Sequence, residues 1–555
     1  MKKIRISSSS LIVSSSNFWH RFSDEYELDF SEYGNWSGAL LSEEMNLVDI
    51  LVIFSSDLNA NMNKDSDSSA LFFKLLEGKL CKAKSEVVVA FSSWQPDSLV
   101  RRSKYDNSNK EFHYWMNTKL NILATKYPLL YKIDLDYELS IEGLSQSFDS
   151  RNWYFAHCHL SHSGLRTLSD SIYSLVTSFT KPTSKVLILD CDNTLWGGVI
   201  GEDGISGIQL GQDGVGKMFS DFQIAVKRLS KEGVLLALCS KNEEFDVWKV
   251  FDEHESTVLS RNDIIISKIN WSDKSKNIKA ISKELSLDLN SFVFFDDNPV
   301  EREKVRKILP MVNTVEPPEN ILDWPKFLQN LDCFAKSKLI EDDKNKIDQY
   351  RKKAKFVEDS SSSNNEMEYL KSIKLKPRFT NINESNLMRA MQLIGKTNQF
   401  NLRTVRHSQS TLFDMINVNN DSVFLMSLVD AYGDHGLIGL AAIKDISSRV
   451  MCIDSLLISC RVLGRYIEYE LLNEIIRRAK DYGYKYLVSQ CLPTERNTPA
   501  QDFQKGSPFT KMERIDLNLT SRERKDLYNY FLENESIYAI ELTNYQEKFK
   551  EIFNE

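Results

Sequence analysis

A chain of 555 residues with 42% apolar, 27% charged and 11% aromatic side chains is long enough to bury several cores, and three or four domains are expected. Its formal net charge of −8, with no dense Lys/Arg block, speaks against nucleic acid as the main partner. No apolar stretch approaches the roughly 18 residues that span a bilayer, and Met1-Lys-Lys-Ile-Arg5 leads into Ile6-Ser-Ser-Ser-Ser10 without an apolar signal-peptide core, so no membrane partner is expected.

In chain order, the first block (1–180) alternates apolar runs with helical patterns. Val48–Phe54 and Glu86–Phe91 read as strands, and a helix ends near Thr180, which is α/β wording. Lys181-Pro-Thr-Ser184 is a joint. The second block (185–345) places strands at Val186–Leu189, Val234–Cys239, Ile264–Ile266 and Phe292–Phe295, with helices between. A charged helical segment and the tract Asp359-Ser-Ser-Ser-Ser-Asn-Asn365 read as a linker over 346–372. The third block (373–555) mixes strands at Val423–Val429, Leu437–Ala442 and Met451–Ile458 with a long helix from about Tyr466 to Tyr482. No internal repeat is visible. The eight cysteines (81, 158, 191, 239, 333, 452, 460 and 491) are scattered and form no Cys-x-x-Cys pair, which points to a reducing cytoplasm. His157-Cys158-His159 lacks the spacing of a structural zinc site.

The chemistry concentrates in the second block. The apolar run Val186–Leu189 ends in two carboxylates, Asp190 and Asp192, where an open α/β sheet binds ligands. Asp-x-Asp-x-Thr at such a strand end resembles the first motif of the haloacid-dehalogenase (HAD) phosphotransferases. That resemblance implies four strand-end motifs, and candidates occur in order. Asp190 and Asp192 would be nucleophile and acid/base. Ser240 would hydrogen-bond the phosphoryl oxygens, and Lys274, with Lys276 as rival, would balance their charge. Asp296-Asp297 ends the last strand and with Asp190 would hold Mg²⁺ through hard oxygen ligands, with Asp190, Asp192 and Asp296 as the favoured trio. Adjacent like charges without a cation are costly, which favours the metal. About forty residues separate Thr194 from Val234 and about thirty separate Ser240 from Lys274. Neither gap leaves room for a large cap domain, so an open site that a bulky partner can reach is expected.

Cys191 between the two acids, Leu195-Trp-Gly-Gly198 and Asp297-Asn-Pro-Val-Glu-Arg302 narrow the resemblance to the FkbH-like branch. It implies loading of a glyceryl unit from D-1,3-bisphosphoglycerate onto an acyl carrier protein with release of phosphate. A thiolate is the side chain best suited to take an acyl group from an acyl phosphate. The resemblance makes Cys191 that relay, passing the group to the carrier's phosphopantetheine thiol. The competing reading is a core cysteine, because side chains alternate faces at a strand end. Cys239 and Cys460 read as core.

The flanking blocks resemble known folds more loosely. Asn152 to Leu165 is similar to the last block of an SGNH hydrolase, but His159-Leu-Ser-His162 stands where Asp-x-x-His is expected. Only Ile6-Ser-Ser-Ser-Ser10 offers a nucleophile, so an inactive SGNH-like domain is expected. Asp434-His-Gly-Leu-Ile-Gly-Leu440 followed by Ser459-Cys-Arg-Val-Leu-Gly-Arg-Tyr466 resembles the GNAT acetyltransferase fold. That resemblance gives Arg461, Gly464 and Arg465 a role in cradling the pyrophosphate of a pantetheine cofactor. Lys396-Thr-Asn-Gln-Phe-Asn401 also matches the FkbH-like family, without a physical role. Ile453-Asp-Ser-Leu456 echoes a phosphopantetheine attachment site but falls inside a predicted strand.

The reading is therefore an α/β protein of three domains, a central HAD-like Rossmannoid domain flanked by SGNH-like α/β and GNAT-like α+β domains, forming glyceryl-S-carrier protein with Mg²⁺ in the cytoplasm. A Mg²⁺-dependent phosphatase of a small metabolite, transfer of a related hydroxyacyl group, and a non-catalytic docking scaffold are the alternatives.

Overall fold

The computed structural model describes residues 2–12, 17–22, 24–42, 48–54, 67–83, 85–93, 108–181, 183–336, 346–363, 365–383, 385–405, 407, 409–418, 421–494, 496–514, 519–531 and 535–553. The chain forms two compact units, Met1–Lys181 with Ala335–Lys338, and Pro182–Phe334 with Leu339–Glu555. Among the described residues no helix is long and apolar enough to cross a membrane.

The first unit is built on a parallel sheet of order β2-β1-β3-β4-β5, made of Lys2–Ser8, Tyr26–Phe30, Val48–Phe54, Glu86–Ser92 and Leu130–Asp134. Central β3 is buried along its whole length, as its apolar run requires. Among its helices are α1 (Asp67–Lys82), α2 (Ser108–Lys126), α3 (Ser150–Ala156) and α4 (His162–Thr180).

The second unit opens with the sheet that carries the candidate chemistry, in the order β10-β9-β6-β7-β8 with all neighbours parallel. Its strands are β6 (Val186–Leu189), β7 (Leu235–Ser240), β8 (Ile264–Ile269), β9 (Phe292–Phe295) and β10 (Asn313–Thr314). Central β6 is buried on both faces. Leu187 and Leu189 join the core of α5 (Gly214–Lys231), whereas Val186 and Ile188 join that of α7 (Lys274–Leu285). Helices α6 (Glu244–Glu253) and α8 (Pro299–Ile308) follow β7 and β9. The connections after β6 and β7 hold helices of this layer and no further sheet among the described residues, in keeping with the gap lengths.

The unit's other sheet runs β11-β13-β14-β15-β16-β18-β17 from Lys376–Asn381, Val423–Asp430, Gly433–Asp445, Val450–Ile458, Tyr486–Gln490, Ile537–Glu541 and Thr510–Lys511. It is antiparallel except where β15 meets β16, and that parallel pairing covers only Val450–Cys452. Beyond it the strands part, and β12 (Phe400–Asn401) pairs with Ile458 and Leu457 instead. The Lys396–Asn401 motif thus has a structural role. The Leu402 N–H continues the pairing onto the Leu456 carbonyl, and Asn497 donates to the Asn401 carbonyl at 3.0 Å. A long helix, α11 (Ile467–Asp481), follows β15 as expected.

The expected linker is corrected by the structure. Residues Lys346–Ser362 form a helix, α9, that runs through most of the serine tract. Its side chains at helical spacing, Tyr350, Lys353 and Phe356, are buried. Packing of that face outweighs the weak helix preference of the serines. A further helix, α10 (Leu387–Lys396), precedes the Phe400–Asn401 strand.

Candidate active site

The carboxyl edge of the β6–β10 sheet brings together residues from four segments. Asp190 follows β6, Ser240 ends β7, Lys274 opens α7, and Asp296 follows β9. The Ser240 hydroxyl donates to Asp190 Oδ1 at 2.6 Å and accepts from the Asn242 amide at 3.1 Å. Lys274 Nζ lies 2.8 Å from Asp190 Oδ2 and 2.6 Å from Asp296 Oδ2. Its side chain is 3% exposed, so little water screens these pairs. Burial works against the Lys274 ammonium, but Asp190 and then Asp296 outweigh it and hold its pKa above the ordinary value. Lys276, two residues further along α7 and so on its opposite side, is exposed. Lys274 is therefore the lysine that meets the acids.

Asp297 takes the place in the acidic group that the favoured trio gave to Asp192. Carboxylate oxygens of Asp190, Asp296 and Asp297 lie within 4.8 Å of one another. Asp192 is not in that group. Its Oδ1 accepts from the Trp196 indole at 2.9 Å and from the Ile200 amide at 3.1 Å, which turns it toward the Leu195–Gly198 loop. Thr194 braces Asp297 at 3.2 Å. Arg302, from the Asp297–Arg302 motif, donates to the carbonyls of Asp296 and Asp297 at 2.8 and 2.6 Å and so fixes the end of β9. Trp196, Asn242 and Arg302 carried no stated role in the sequence. Burial, followed by the charge of Asp190, pushes the Asp296 carboxyl up to about 6 and Asp297 upward too. Three carboxylates facing one lysine form a hard-oxygen set short of positive charge, which fits a divalent cation such as Mg²⁺.

Cys191 is 0% exposed and packs with Leu189, Leu195 and Trp196. Its sulfur lies beside the Ser240 hydroxyl. Burial, and then the neighbouring Asp190, push the thiol well above its ordinary range. The core reading describes where Cys191 stands.

The pyrophosphate cradle expected at 461–465 is not open. Arg461 is buried and donates to Gln349 and to the carbonyls of His435 and Leu437. Arg465 is fully buried, 3.0 Å from Asp430, with its guanidinium 3.7 Å from the centre of the Phe356 ring. Gly464 keeps a positive φ of 87° with Phe356 beside it. Helix α9, read from the sequence only as a linker segment, covers this loop through Gln349 and Phe356. Ser455 of the attachment-site echo is buried in β15, and Asp454 is held by Arg403 at 2.9 Å.

In the first unit, His159 is buried between the rings of Phe54 and Trp153 at 4.6 and 4.3 Å. The serine run closes strand ends: Ser9 Oγ accepts from the Phe54 amide at 2.9 Å, and the Ser7 and Ser31 hydroxyls pair at 2.6 Å. Ser92, Ser93 and His113 converge on Asp136, so the hydroxyls serve the carboxylate rather than the imidazole. That is not the order of a hydrolase relay.

A parallel α/β sheet with four strand-end motifs in register, plus a second mixed sheet, defines a HAD-like, phosphatase-type enzyme. Among solved structures the chain is similar to the N-terminal part of BF1531 from Bacteroides fragilis, described as containing a phosphatase domain and complexed with Mg. The two are 27% identical with a TM-score of 0.53, over 61% of this chain and 94% of that one. Rv2747 from Mycobacterium tuberculosis, in complex with CoA and NLQ, is 12% identical over 30% of this chain and 98% of its own, at a TM-score of 0.23. A GNAT-family acetyltransferase from Staphylococcus aureus Mu50 is 14% identical over 30% and 99%, also at 0.23. The last two likenesses are too slight to support a function. No protein-family model and no curated protein matches the chain.

Proposed function

We propose that this chain transfers a glyceryl unit from D-1,3-bisphosphoglycerate to an acyl carrier protein and releases phosphate, with Mg²⁺ at the Asp190, Asp296 and Asp297 carboxylates. The observation that carries the phosphate chemistry is the meeting of Asp190, Ser240, Lys274 and Asp296 at one sheet edge. Asp190 is the nucleophile toward phosphorus. Ser240 and Lys274, already flanking its two oxygens, are placed to bind the phosphoryl oxygens. Asp192, whose carboxyl burial raises, gives its proton to the leaving oxygen and later takes one from water. A bound Mg²⁺ supplies charge neutralisation of the phosphoryl group.

Acyl transfer and dephosphorylation are separate bond changes. A thiol attacks the acyl carbon of the donor, the bond to the 1-phosphate breaks, and the thiol proton leaves with that phosphate. The carboxylate site removes the other phosphate from the sugar-acid oxygen. The FkbH-like resemblance supports Cys191 as the first thiol. Its burial requires a side-chain turn toward Asp190 before it meets a donor. The same burial favours a second reading, a Mg²⁺-dependent phosphatase in which Cys191 only packs.

Purified protein incubated with holo-carrier protein, Mg²⁺ and 1,3-bisphosphoglycerate generated in situ, then weighed intact, tests both. A glyceryl mass on the carrier, with a transient one on the enzyme that Cys191→Ala abolishes, is expected. Carrier loading at full rate by Cys191→Ala would sink the relay. Phosphate release with no acylated protein would leave the phosphatase.

A further inference from the structure

The helices that flank the catalytic segments carry charge out of keeping with the chain. Helix α7 begins at Lys274, α8 begins three residues after Asp296, and the two are neighbours. Together they hold eight Lys/Arg against three Asp/Glu, in a chain whose formal net charge is −8. Lys274 and Arg302 point inward, to the acids and to the carbonyls after β9. Lys276, Lys279, Lys283, Lys304 and Lys307 are exposed, whereas the half-buried Arg306 is paired with Glu303 and Glu316. Lys304 and Lys307 meet Glu301 and Glu303 only at 3.4 Å, contacts worth little in water.

Apolar side chains interleave with these cations. Val300 and Ile308 are 59% and 50% exposed, and four-residue spacing from Lys304 sets them on the same side of α8 as Lys304. A shallow depression of about 400 Å³ opens among Pro299, Val300, Glu303, Lys304 and Lys307. Exposed apolar groups framed by mostly basic charge describe a site for a protein partner rather than a small ligand.

We infer that this face of α7 and α8 docks the acidic surface of the carrier protein whose thiol arm enters the carboxylate site. The inference rests on the carrier-loading reading above. Charge selects the class of partner: a basic face attracts an acidic surface, and the carrier of the reading above is a small acidic protein. Position fits the chemistry as well, because Val300 stands three residues beyond Asp297, so an arm rooted there starts beside the acids.

Anisotropy measurements with the labelled apo-carrier, which lacks the arm and turns nothing over, separate docking from chemistry. Lys304→Glu with Lys307→Glu is expected to weaken binding about tenfold or more, whereas Lys304→Arg with Lys307→Arg keeps it within about twofold. Wild-type affinity should fall about tenfold between about 50 and about 300 mM salt. Equal binding by the charge-reversed protein overturns the inference. If that protein does not fold, a flat salt response of the wild type overturns it. Self-association abolished by the same reversal, or tighter binding to phosphatidylserine vesicles than to the carrier, would assign the face to another occupant. Binding through the lysines without glyceryl transfer keeps the surface and defeats the transfer reading, and full-rate transfer by the charge-reversed protein does the opposite.

Discussion

Trp196 has one hydrogen-bond donor and gives it to Asp192. The indole is fully buried beneath the loop that also supplies the Ile200 amide, so Asp192 Oδ1 is held from two sides, and Asn242 also bonds the carboxylate. Trp196 is thus a positioning residue for the acid/base. Trp196→Phe keeps most of the packing and deletes the donor. Phosphate release should fall about tenfold to a hundredfold in kcat, with KM changed far less. In an Asp192→Asn background, where turnover is already depressed, the second change should add little. A Trp196→Phe protein with unchanged kcat would show that packing is the indole's whole role.

Elements were legible where periodicity was simple and opaque where tertiary packing decided. The short strands Val186–Leu189 and Phe292–Phe295 stand at the bounds their apolar runs indicate, because buried parallel strands must be apolar on both faces. Helix α9 was legible only as a charged helical segment, since its serines look like linker and only its contacts reveal its buried face. Lys353 shows how tightly it is bound in. The side chain is buried, and its ammonium donates to the carbonyls of Leu285 and Cys460 at 3.0 and 2.9 Å. Burial lowers its pKa to about 8. The unfolded chain keeps that proton up to the ordinary lysine value, so between about 8 and 10.5 the unfolded state binds more protons and stability rises with pH. Urea unfolding across that window should show Lys353→Met lacking a slope of up to about 1.4 kcal/mol per pH unit that the wild type has. Parallel pH profiles for the two proteins would refute the buried ammonium.

At the scale of the molecule, the candidate site was readable as a set of segments but not as a set of directions. Asp190, Ser240, Lys274 and Asp296 could be named because parallel topology carries strand ends to one edge. Which way a carboxyl turns depends on partners such as Trp196 and Thr194, and that is why Asp297 replaces Asp192 in the acidic group. The directions of Arg461 and Arg465 were hidden for the same reason: their sequence pattern is that of a ligand loop, but their side chains turn to Gln349 and Phe356 of α9. Metal linkage distinguishes the two acidic sets. A cation that binds only the folded state at about a hundred times its Kd adds roughly 2.7 kcal/mol of stability, enough for a rise of several degrees in the unfolding transition of the second unit. Mg²⁺ should produce that rise in the wild type and in Asp192→Asn, and should fail to do so in Asp296→Asn and Asp297→Asn, with EDTA reversing it. Loss of the rise in Asp192→Asn together with its survival in Asp297→Asn would restore the assignment read from the sequence and show that Trp196 releases Asp192 when the metal binds.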